Sequence, residues 1–250
     1  DSAYLTRTPS GDGNRRTFTI SFWIKRANLT SSHIFQQRAN SNNSRQFTIQ
    51  FKSDEKIRVL AQDGGSNVLL LDTTQVFRDP SAWYHIVVAI DSTQSTQSDR
   101  QKLYVNGQQI TDFDTNTQTS QDRQFSVNHA TKRILIGNQR PNSSSTLNSY
   151  LDAYLAEYHL VDGLQLTPSS FGETDAITGQ WNPKKYVGSY GTNGLGKDSS
   201  GNGNNFTPNN FSVAAGAGND SLEDTPTNNF ATMNPLANKF PASTFSEGNL

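Results

Sequence analysis

Apolar and polar residues alternate with a period of two in the segment Thr17–Lys25, TFTISFWIK. The apolar side chains that share one side of this segment are Phe18, Ile20, Phe22 and Ile24. Successive side chains of a β-strand point to opposite faces, so this period predicts a strand with one buried face. No stretch of the sequence offers a helical apolar stripe of useful length. The chain must therefore build its core from strands.

Similar short runs recur along the first two thirds of the chain. The further predicted strands are His33–Gln37, Gln46–Lys52, Lys56–Gln62, Val68–Asp72, Trp83–Asp91, Lys102–Val105, Gln109–Ile110, Arg133–Gly137 and Leu151–Val161. Trp83–Asp91, WYHIVVAID, is apolar on both sides, which is typical of an inner strand of a sandwich. Asn106-Gly107 predicts a two-residue hairpin, because both positions of such a turn need a positive φ. We interpret Thr111–Asp122 as one of the polar connections.

Uncharged polar residues dominate the composition. The sequence has 25 Asn, 17 Gln, 28 Ser and 25 Thr among 250 residues, whereas charged residues make up 17%. Short polar side chains compete with helical hydrogen bonds and favour turns and strands. The 14 Phe, 8 Tyr and 3 Trp are enough for a core, which argues against a disordered chain. Many strands joined by polar turns predict an all-β jelly-roll sandwich of two antiparallel sheets.

Charge and cysteine content exclude several classes of protein. A formal net charge of −1 is incompatible with nucleic-acid binding through bulk basicity, and it gives no attraction to anionic membranes. The sequence has no Cys, so disulfides, thiol nucleophiles and cysteine-ligated zinc are all absent. No apolar run reaches the roughly 18 residues that a membrane-spanning helix needs. We therefore predict neither a nucleic-acid partner nor membrane insertion.

The character of the sequence changes after Phe171, where Asn, Gly, Ser and Pro dominate. We predict a jelly-roll domain over residues 1–173 and an ordered tail wrapping the sandwich over residues 174–196. Residues 197–250 are predicted to be an Asn/Gly-rich connector or the truncated start of a second β-domain. The first residue is not Met, and Ser246–Leu250 is typical of the middle of a chain, so we expect a processed product or a piece of a longer protein.

The ordered set of strands resembles the concanavalin A-like, laminin-G-type jelly roll. The segments that carry the resemblance are FTISFWIKR at 18–26, WYHIVVAID at 83–91, LYVNG at 103–107, RILIGN at 133–138 and LDAYLAEYHLVDG at 151–163. The resemblance covers about residues 3–165 and implies a lectin-like fold.

A narrower resemblance covers the rest of the chain. SSFGE at 169–173, WNPK at 181–184, YGTNG at 190–194, DSSGNGNNFT at 198–207 and DTPTNNF at 224–230 look like segments of tailed-phage virion proteins, in particular those of marine cyanophages and pelagiphages. In that family a SPRY-type domain often follows, and Ser246–Leu250 is similar to its entry. One departure is that Leu195-Gly196 replaces a short β-segment of the family pattern. The resemblance implies a tail fibre, a receptor-binding protein or a head-fibre (decoration) protein.

Glycoside hydrolysis is the main enzymatic alternative for this fold, and it needs two carboxylates about 5–10 Å apart. The acidic residues on the last predicted strand are Asp152, Glu157 and Asp162, and their spacing of five places each on the face opposite to the previous one. We therefore predict that the protein is not an enzyme. A polysaccharide-degrading hydrolase or lyase, and a cellular carbohydrate-binding module, remain as alternatives.

A sugar site combines an aromatic ring that stacks on the sugar with polar side chains that form hydrogen bonds. Tyr154, Tyr158 and Trp181 are the candidates for such a site. Tyr154 and Tyr158 are predicted to share a strand face that is open to solvent. The competing interpretation is that the C-terminal tail or a neighbouring subunit covers this face.

Calcium is the metal that fits the composition best, because oxygen ligands are plentiful. The candidate ligands are Asp162 and Asp198, and each is more often a turn residue; no other cofactor is predicted. Together these features predict a non-catalytic protein of the virion surface. Its expected partners are other virion structural proteins, a host surface polysaccharide and further copies of itself, with a trimer as the plausible oligomer.

Overall fold

The computed structural model describes residues 2–38, 45–139, 149–190, 205–211 and 225–227. Two large antiparallel sheets face each other, and we name them sheet A and sheet B. Sheet A has the strand order β10-β6-β5-β4-β3-β11-β1-β15. Its strands are β1 (Tyr4–Arg7), β3 (Ser32–Arg38), β4 (Arg45–Phe51), β5 (Lys56–Asp63), β6 (Ser66–Val76), β10 (Phe113–Thr117), β11 (Ile134–Ile136) and β15 (Thr207–Asn209).

Sheet B has the strand order β12-β2-β7-β8-β9. Its strands are β2 (Thr17–Arg26), β7 (Tyr84–Asp91), β8 (Gln101–Val105), β9 (Gln108–Gln109) and β12 (Ala153–Asp162). A small hairpin of β13 (Gly172–Thr174) and β14 (Trp181–Pro183) lies outside both sheets. The helical elements in the described ranges are two three-residue 3-10 turns, Gln97–Asp99 and Pro168–Ser170. No helix among these residues is long and apolar enough to cross a membrane.

The predicted all-β sandwich of two antiparallel sheets is confirmed. β7 is an inner strand of sheet B, hydrogen-bonded to β2 and β8, and its six central residues are buried. Asn106 and Gly107 have φ values of 47° and 82°, as expected for the tight turn between β8 and β9. The continuous apolar sequence of β7 and the Asn-Gly turn therefore have the structural roles predicted for them.

The hydrophobic core lies between the two sheets and uses alternate side chains of each strand. Sheet B contributes Phe18, Ile20, Phe22, Ile24, Ile86, Val88 and Ile90, whereas sheet A contributes Phe47, Ile49, Phe51, Ile57, Val59, Leu69 and Leu71. Phe18 meets Phe47 and Phe125 edge-to-face, with ring centroids 5.4 and 5.9 Å apart. Such aromatic pairs add to the stability that burial provides, and they join the sheets at one end.

Three strands of sheet A were not predicted. The prediction that Thr111–Asp122 is a connection is wrong in part, because β10 pairs with β6 at the edge of the sheet. β10 reads FDTNT, and an edge strand of mainly polar residues has no alternation for a sequence pattern to detect. β1 and β15 pair with each other but have only four and three residues. The boundary placed at residue 197 lies outside the described residues, so the domain division stays a prediction.

Candidate functional site

Aromatic side chains cover much of the outer side of sheet B, and we call this side the aromatic face. Its main members are Trp23, His85, Tyr104, Tyr154 and His159. They alternate with core residues along β2, β7, β8 and β12, so their direction follows from the pleat. The Trp23 and His85 rings stack with centroids 4.9 Å apart. His85 Nε2 lies 2.9 Å from Ser21 Oγ. This face is thus a packed aromatic layer outside the main core.

Residues 164–190, which we call the tail, lie across the aromatic face. Phe171 is 1% exposed and packs in a second apolar cluster with Val87, Ala89, Tyr104 and Val161. Leu166, Tyr186 and Tyr190 border this cluster. Contacts with this face therefore begin before residue 174, and the predicted division into a domain over 1–173 and a tail over 174–196 stays a prediction.

Trp181 is one attachment of the tail to the aromatic face. Its Nε1–H donates to His85 Nδ1 at 3.0 Å, and the two rings stack at 6.0 Å. A Cβ atom on Gly172 would lie 2.5 Å from the indole ring, and one on Gly107 would lie 3.0 Å from it. Two glycines therefore leave the space that the Trp181 ring occupies.

His85 must be neutral for this attachment to form. Its Nδ1 accepts from Trp181, so the proton lies on Nε2, which faces Ser21 Oγ. Burial, with a smaller contribution from the nearby His159, lowers the pKa of His85 from 6.5 to about 3. The geometry and the direction of the pKa shift therefore agree on an uncharged imidazole.

Tyr190 is the second attachment of the tail. Its hydroxyl lies 2.8 Å from His159 Nδ1, and the two rings stack at 5.8 Å. His159 also stacks on Phe171 at 5.2 Å. Two histidines of sheet B therefore hold the C-terminal part of the tail, and the aromatic face is largely closed.

Tyr154 and Tyr158 do not share a face, so that expectation is wrong. A β-bulge in β12 places Glu157 and Tyr158 opposite a single residue of β2, and Glu157 has a φ of 47°. Tyr154 points outward against Trp83, with ring centroids 6.3 Å apart. Tyr158 points inward, stacks on Phe22 at 5.3 Å and has a buried hydroxyl.

The three aromatic candidates consequently lie in three separate environments. Tyr154 lies beside Trp83, Tyr158 packs against the core, and Trp181 packs on His85. Burial raises the pKa of Tyr158 well above its ordinary value. Carbohydrate binding by these residues stays a prediction, but they do not form one platform.

Asp162 holds two loops together. Its Oδ1 accepts hydrogen bonds from the Asn14 backbone N–H at 2.7 Å and from Asn128 Nδ2 at 3.0 Å. In the described part of the chain, no three His, Asp or Glu side chains come together as a metal site would require. Asp198 lies outside the described residues. Calcium binding by Asp162 or Asp198 stays a prediction.

The other two acidic candidates are Asp152, which directly precedes β12, and Glu157 within it. Asp152 Oδ2 accepts from Asn28 Nδ2 at 2.5 Å, and the Glu157 carboxylate lies 3.5 Å from His159 Nε2. The nearby His159 imidazole lowers the pKa of Glu157. A general acid needs a raised pKa, so Glu157 is poorly suited to that role.

An open cleft lies at the end of the sandwich where the loops before β2 and β11 meet. We call it the loop-end cleft, and it has a volume of about 380 Å³. Its lining residues are Asp12, Gly13, Asn14, Arg15, Arg16 and Gln124. The Asn14 side chain accepts from the backbone N–H groups of Arg16 and Thr17, both at 2.9 Å, which fixes the loop. Unlike the aromatic face, this cleft presents hydrogen-bonding groups to solvent.

Arginines gather beside this cleft. Arg45 and Arg123 both pair with Asp63, at 3.0 and 2.9 Å. These two ion pairs lower the pKa of Asp63, mainly through the hydrogen bond from Arg45. Asp63 ends β5, so the ion pairs connect sheet A to the loop that carries Arg123 and Gln124.

Residues 1–169 match the family described as the concanavalin A-like lectin/glucanases superfamily. The chain belongs to this superfamily. The native heptameric SAP-like pentraxin of Limulus polyphemus has a similar fold, with a TM-score of 0.52 over 83% of this chain and 85% of the pentraxin, at 17% identity.

Two further structures are similar at a lower level. Domains LG4-5 of the mouse laminin alpha1 chain give a TM-score of 0.44 at 11% identity, covering 78% of this chain and 44% of that one. A mutant of the NanB sialidase from Streptococcus pneumoniae gives a TM-score of 0.48 at 14% identity, covering 70% of this chain and 29% of the sialidase. At these identities the likenesses show the fold alone. No curated protein sequence matches the chain.

For this member of the concanavalin A-like superfamily, the sequence patterns did not indicate the loop-end cleft. Arg15 and Gln124 are separated by more than a hundred residues and belong to loops without a recognisable motif. The sequence hint of this cleft is Asn14-Arg15-Arg16, in which an Asn, a common turn residue, precedes two cations.

Proposed function

We propose that the chain is a non-catalytic carbohydrate-binding protein of a virion surface, of tail-fibre, receptor-binding or head-fibre type. The observation that carries the binding role is the loop-end cleft, an open concavity lined by hydrogen-bonding side chains at one end of a lectin-type sandwich. Sugars are bound through such convergent polar groups. The cleft is therefore the glycan site in this proposal.

The closure of the aromatic face supports this choice of site. Trp181 and Tyr190 each stack one ring face on a histidine, His85 or His159, and donate or accept a hydrogen bond there, so these faces are not available to a sugar ring. A glycan could reach that face only after the tail had left it. The proposal therefore places the sugar at the loops rather than on the aromatic rings.

The carboxylates support a role without catalysis. Glycoside hydrolysis needs one protonated and one ionised carboxyl group about 5–10 Å apart. Asp162 is occupied by two hydrogen bonds, and Glu157 is held in its ionised form by His159. Neither group is prepared to act as the acid.

The virion location is supported by the sequence segments shared with tailed-phage proteins. SSFGE at 169–173 and WNPK at 181–184 belong to the tail, where Phe171 and Trp181 make its main contacts. Other virion proteins and further copies of this chain are the expected partners.

The binding role is tested with a panel of purified polysaccharides and host-type cells. The protein is expected to bind at least one polysaccharide saturably while leaving its chain length unchanged after long incubation. Repeating the measurement with calcium and with a chelator tests the calcium prediction. Absence of binding throughout the panel would reject the carbohydrate-binding role, and shortened products would reject the non-catalytic one.

The virion role needs a separate experiment. Peptides of this chain are expected in density-purified phage particles, and antibodies against it should label the particle surface in electron micrographs. Peptides found only in the soluble fraction of infected cells would favour a free carbohydrate-binding module.

A further inference from the structure

We propose that the loop-end cleft is specific for an anionic sugar, and that Arg15 pairs with the carboxylate or sulfate group of that sugar. This inference rests on the proposed carbohydrate-binding function and adds the class of glycan. It comes from the state of one side chain, Arg15, which lines the cleft.

Arg15 is a cation without an adequate partner. Its Nε donates to the Phe125 carbonyl at 2.8 Å, whereas its Nη2 is buried and has no hydrogen-bond partner in the described ranges. No carboxylate among those residues forms an ion pair with it. Burial lowers the pKa of Arg15, and the negative charge of Asp12 offsets this lowering only in part. A desolvated charge is costly until a counter-charge pairs with it.

Two buried arginines elsewhere in the sandwich differ from Arg15, which is half-buried. Arg100 donates to three carbonyls, those of Gln94, Ser95 and Thr119, at 2.8–3.1 Å. Arg26 donates to two carbonyls and lies 4.2 Å above the Phe51 ring. In both, backbone carbonyl oxygens take the place of an anion. A structural arginine requires such acceptors. Arg15 has one such bond.

The other charges around the cleft are compatible with an anion. Arg16 lines the same cleft, and its ion pair with Asp122 is long, at 3.8 Å, and exposed. Asp12 is the acidic member of the lining, and its Oδ1 accepts the Ala130 N–H at 2.5 Å. Beside the cleft, two arginines share the single carboxylate of Asp63. Among the residues that line the cleft itself, two guanidinium groups, those of Arg15 and Arg16, thus stand beside the single carboxylate of Asp12.

Guanidinium chemistry explains the choice of an anionic group. A planar guanidinium can donate two parallel hydrogen bonds to a carboxylate or sulfate, and such charge-assisted bonds are stronger than neutral ones. Gln124, exposed in the same lining, can donate to and accept from sugar hydroxyls. The cleft therefore combines the Arg15 guanidinium, for the charged group of the sugar, with the Gln124 amide, for the hydroxyls of the sugar ring.

The test compares three polysaccharides of similar length: a neutral polymer, a uronate polymer and a sulfated polymer. Dissociation constants are measured for the complete chain at two salt concentrations. We expect at least one charged polymer to bind more tightly than the neutral polymer and to weaken as salt rises. Arg15→Gln should raise the dissociation constant of that polymer about tenfold or more and leave the neutral polymer within about twofold. Arg15→Lys should restore part of the loss.

The control is Arg78→Gln, which removes the same charge at the opposite end of β5. Arg78 is 59% exposed and pairs with Glu55 at 3.0 Å. Equal weakening by Arg78→Gln and Arg15→Gln would mean that net charge alone governs binding, and would overturn the inference. Equal affinity for neutral and charged polymers would also overturn it but leave the proposed function intact. Failure of all polymers to bind would reject the proposed function itself.

Discussion

The aromatic face and the loop-end cleft differ in what covers them, because the tail packs on the first whereas the second is open to solvent. On the aromatic face, His85 and His159 each accept or donate to a tail residue, and the rings stack on one another. In the cleft, Arg15 keeps a buried nitrogen without a partner among the described residues. Both regions have side chains that proteins use to bind sugars. Trp23 Nε1 and His159 Nε2 also lack a hydrogen-bond partner among the described residues, but they lie within a packed layer, whereas the cleft is open to solvent.

Residue type is therefore a weaker guide to a binding site than access from solvent. Tyr and Trp are frequent in sugar sites, yet here Trp181 joins the tail to the sandwich. A packed aromatic cluster contributes stability, whereas a charge without a partner reduces stability unless a ligand compensates. Substitutions in the two regions should therefore have opposite consequences for folding and binding.

The largest effect is expected from Phe171→Ala on the aromatic face. Removing this ring from its apolar cluster leaves a cavity, so the free energy of unfolding should fall by about 3–4 kcal/mol. Denaturant unfolding measures the change. The control is Ile177→Ala, because Ile177 belongs to the same tail but is 95% exposed. Similar small losses for both variants would mean that the tail does not stabilise the sandwich.

The second-largest effect is expected from acid, which should lower the free energy of unfolding through His85 on the aromatic face. The pKa of His85 is about 3 in the folded protein, lowered chiefly by burial, and about 6.5 when unfolded, so the unfolded chain binds the extra proton. Stability that is complete above pH 6.5 is therefore lost progressively as the pH falls towards 3. Between pH 7 and 5 this single group should account for about 2 kcal/mol.

The measurement is the slope of unfolding free energy against pH, compared between the wild type and His85→Gln. The slope should become shallower in the variant by the contribution of one histidine. It should not vanish, because burial also lowers the pKa of His33, on sheet A, to about 4. An unchanged slope would show that His85 is already protonated at neutral pH or titrates normally.

A smaller loss is expected from Gly172→Ala. The new Cβ would lie 2.5 Å from the Trp181 ring, so the indole or the hairpin must shift, at about 1–2 kcal/mol. Tryptophan fluorescence and denaturant unfolding report the shift and its cost. Gly11→Ala is the matched control, because no atom lies within 4 Å of the added carbon there. Equal free energies of unfolding for the two variants would contradict the close packing of the Trp181 ring against Gly172.

Local sequence patterns predicted the sandwich well because strand alternation and the Asn106-Gly107 turn depend on neighbouring residues alone. They failed at Tyr154 and Tyr158 because one bulged residue, Glu157, reverses the alternation. They also did not predict that β15 would extend sheet A, since a three-residue pairing has no sequence period.

The candidate site was harder to predict than the fold. The partners that decide the roles of Trp181 and Asp162 are 96 and 148 residues away in sequence. The lack of a partner at Arg15 is likewise a property of the folded chain, since any arginine looks the same in a sequence. Pairing across such separations depends on the whole topology, and no short pattern encodes it.

The smallest effect on folding is expected in the cleft, from Arg15→Gln. The substitution removes a partly buried charge that has one hydrogen bond, so the free energy of unfolding should stay within about 0.5 kcal/mol of the wild type or rise slightly. Arg100→Gln should instead lose about 2–3 kcal/mol, because three carbonyls lose a charged donor. Denaturant unfolding of both variants decides the point. A loss for Arg15→Gln as large as that for Arg100→Gln would make Arg15 a structural arginine, and the contrast between a face that stabilises the fold and a cleft that is free to bind would fail.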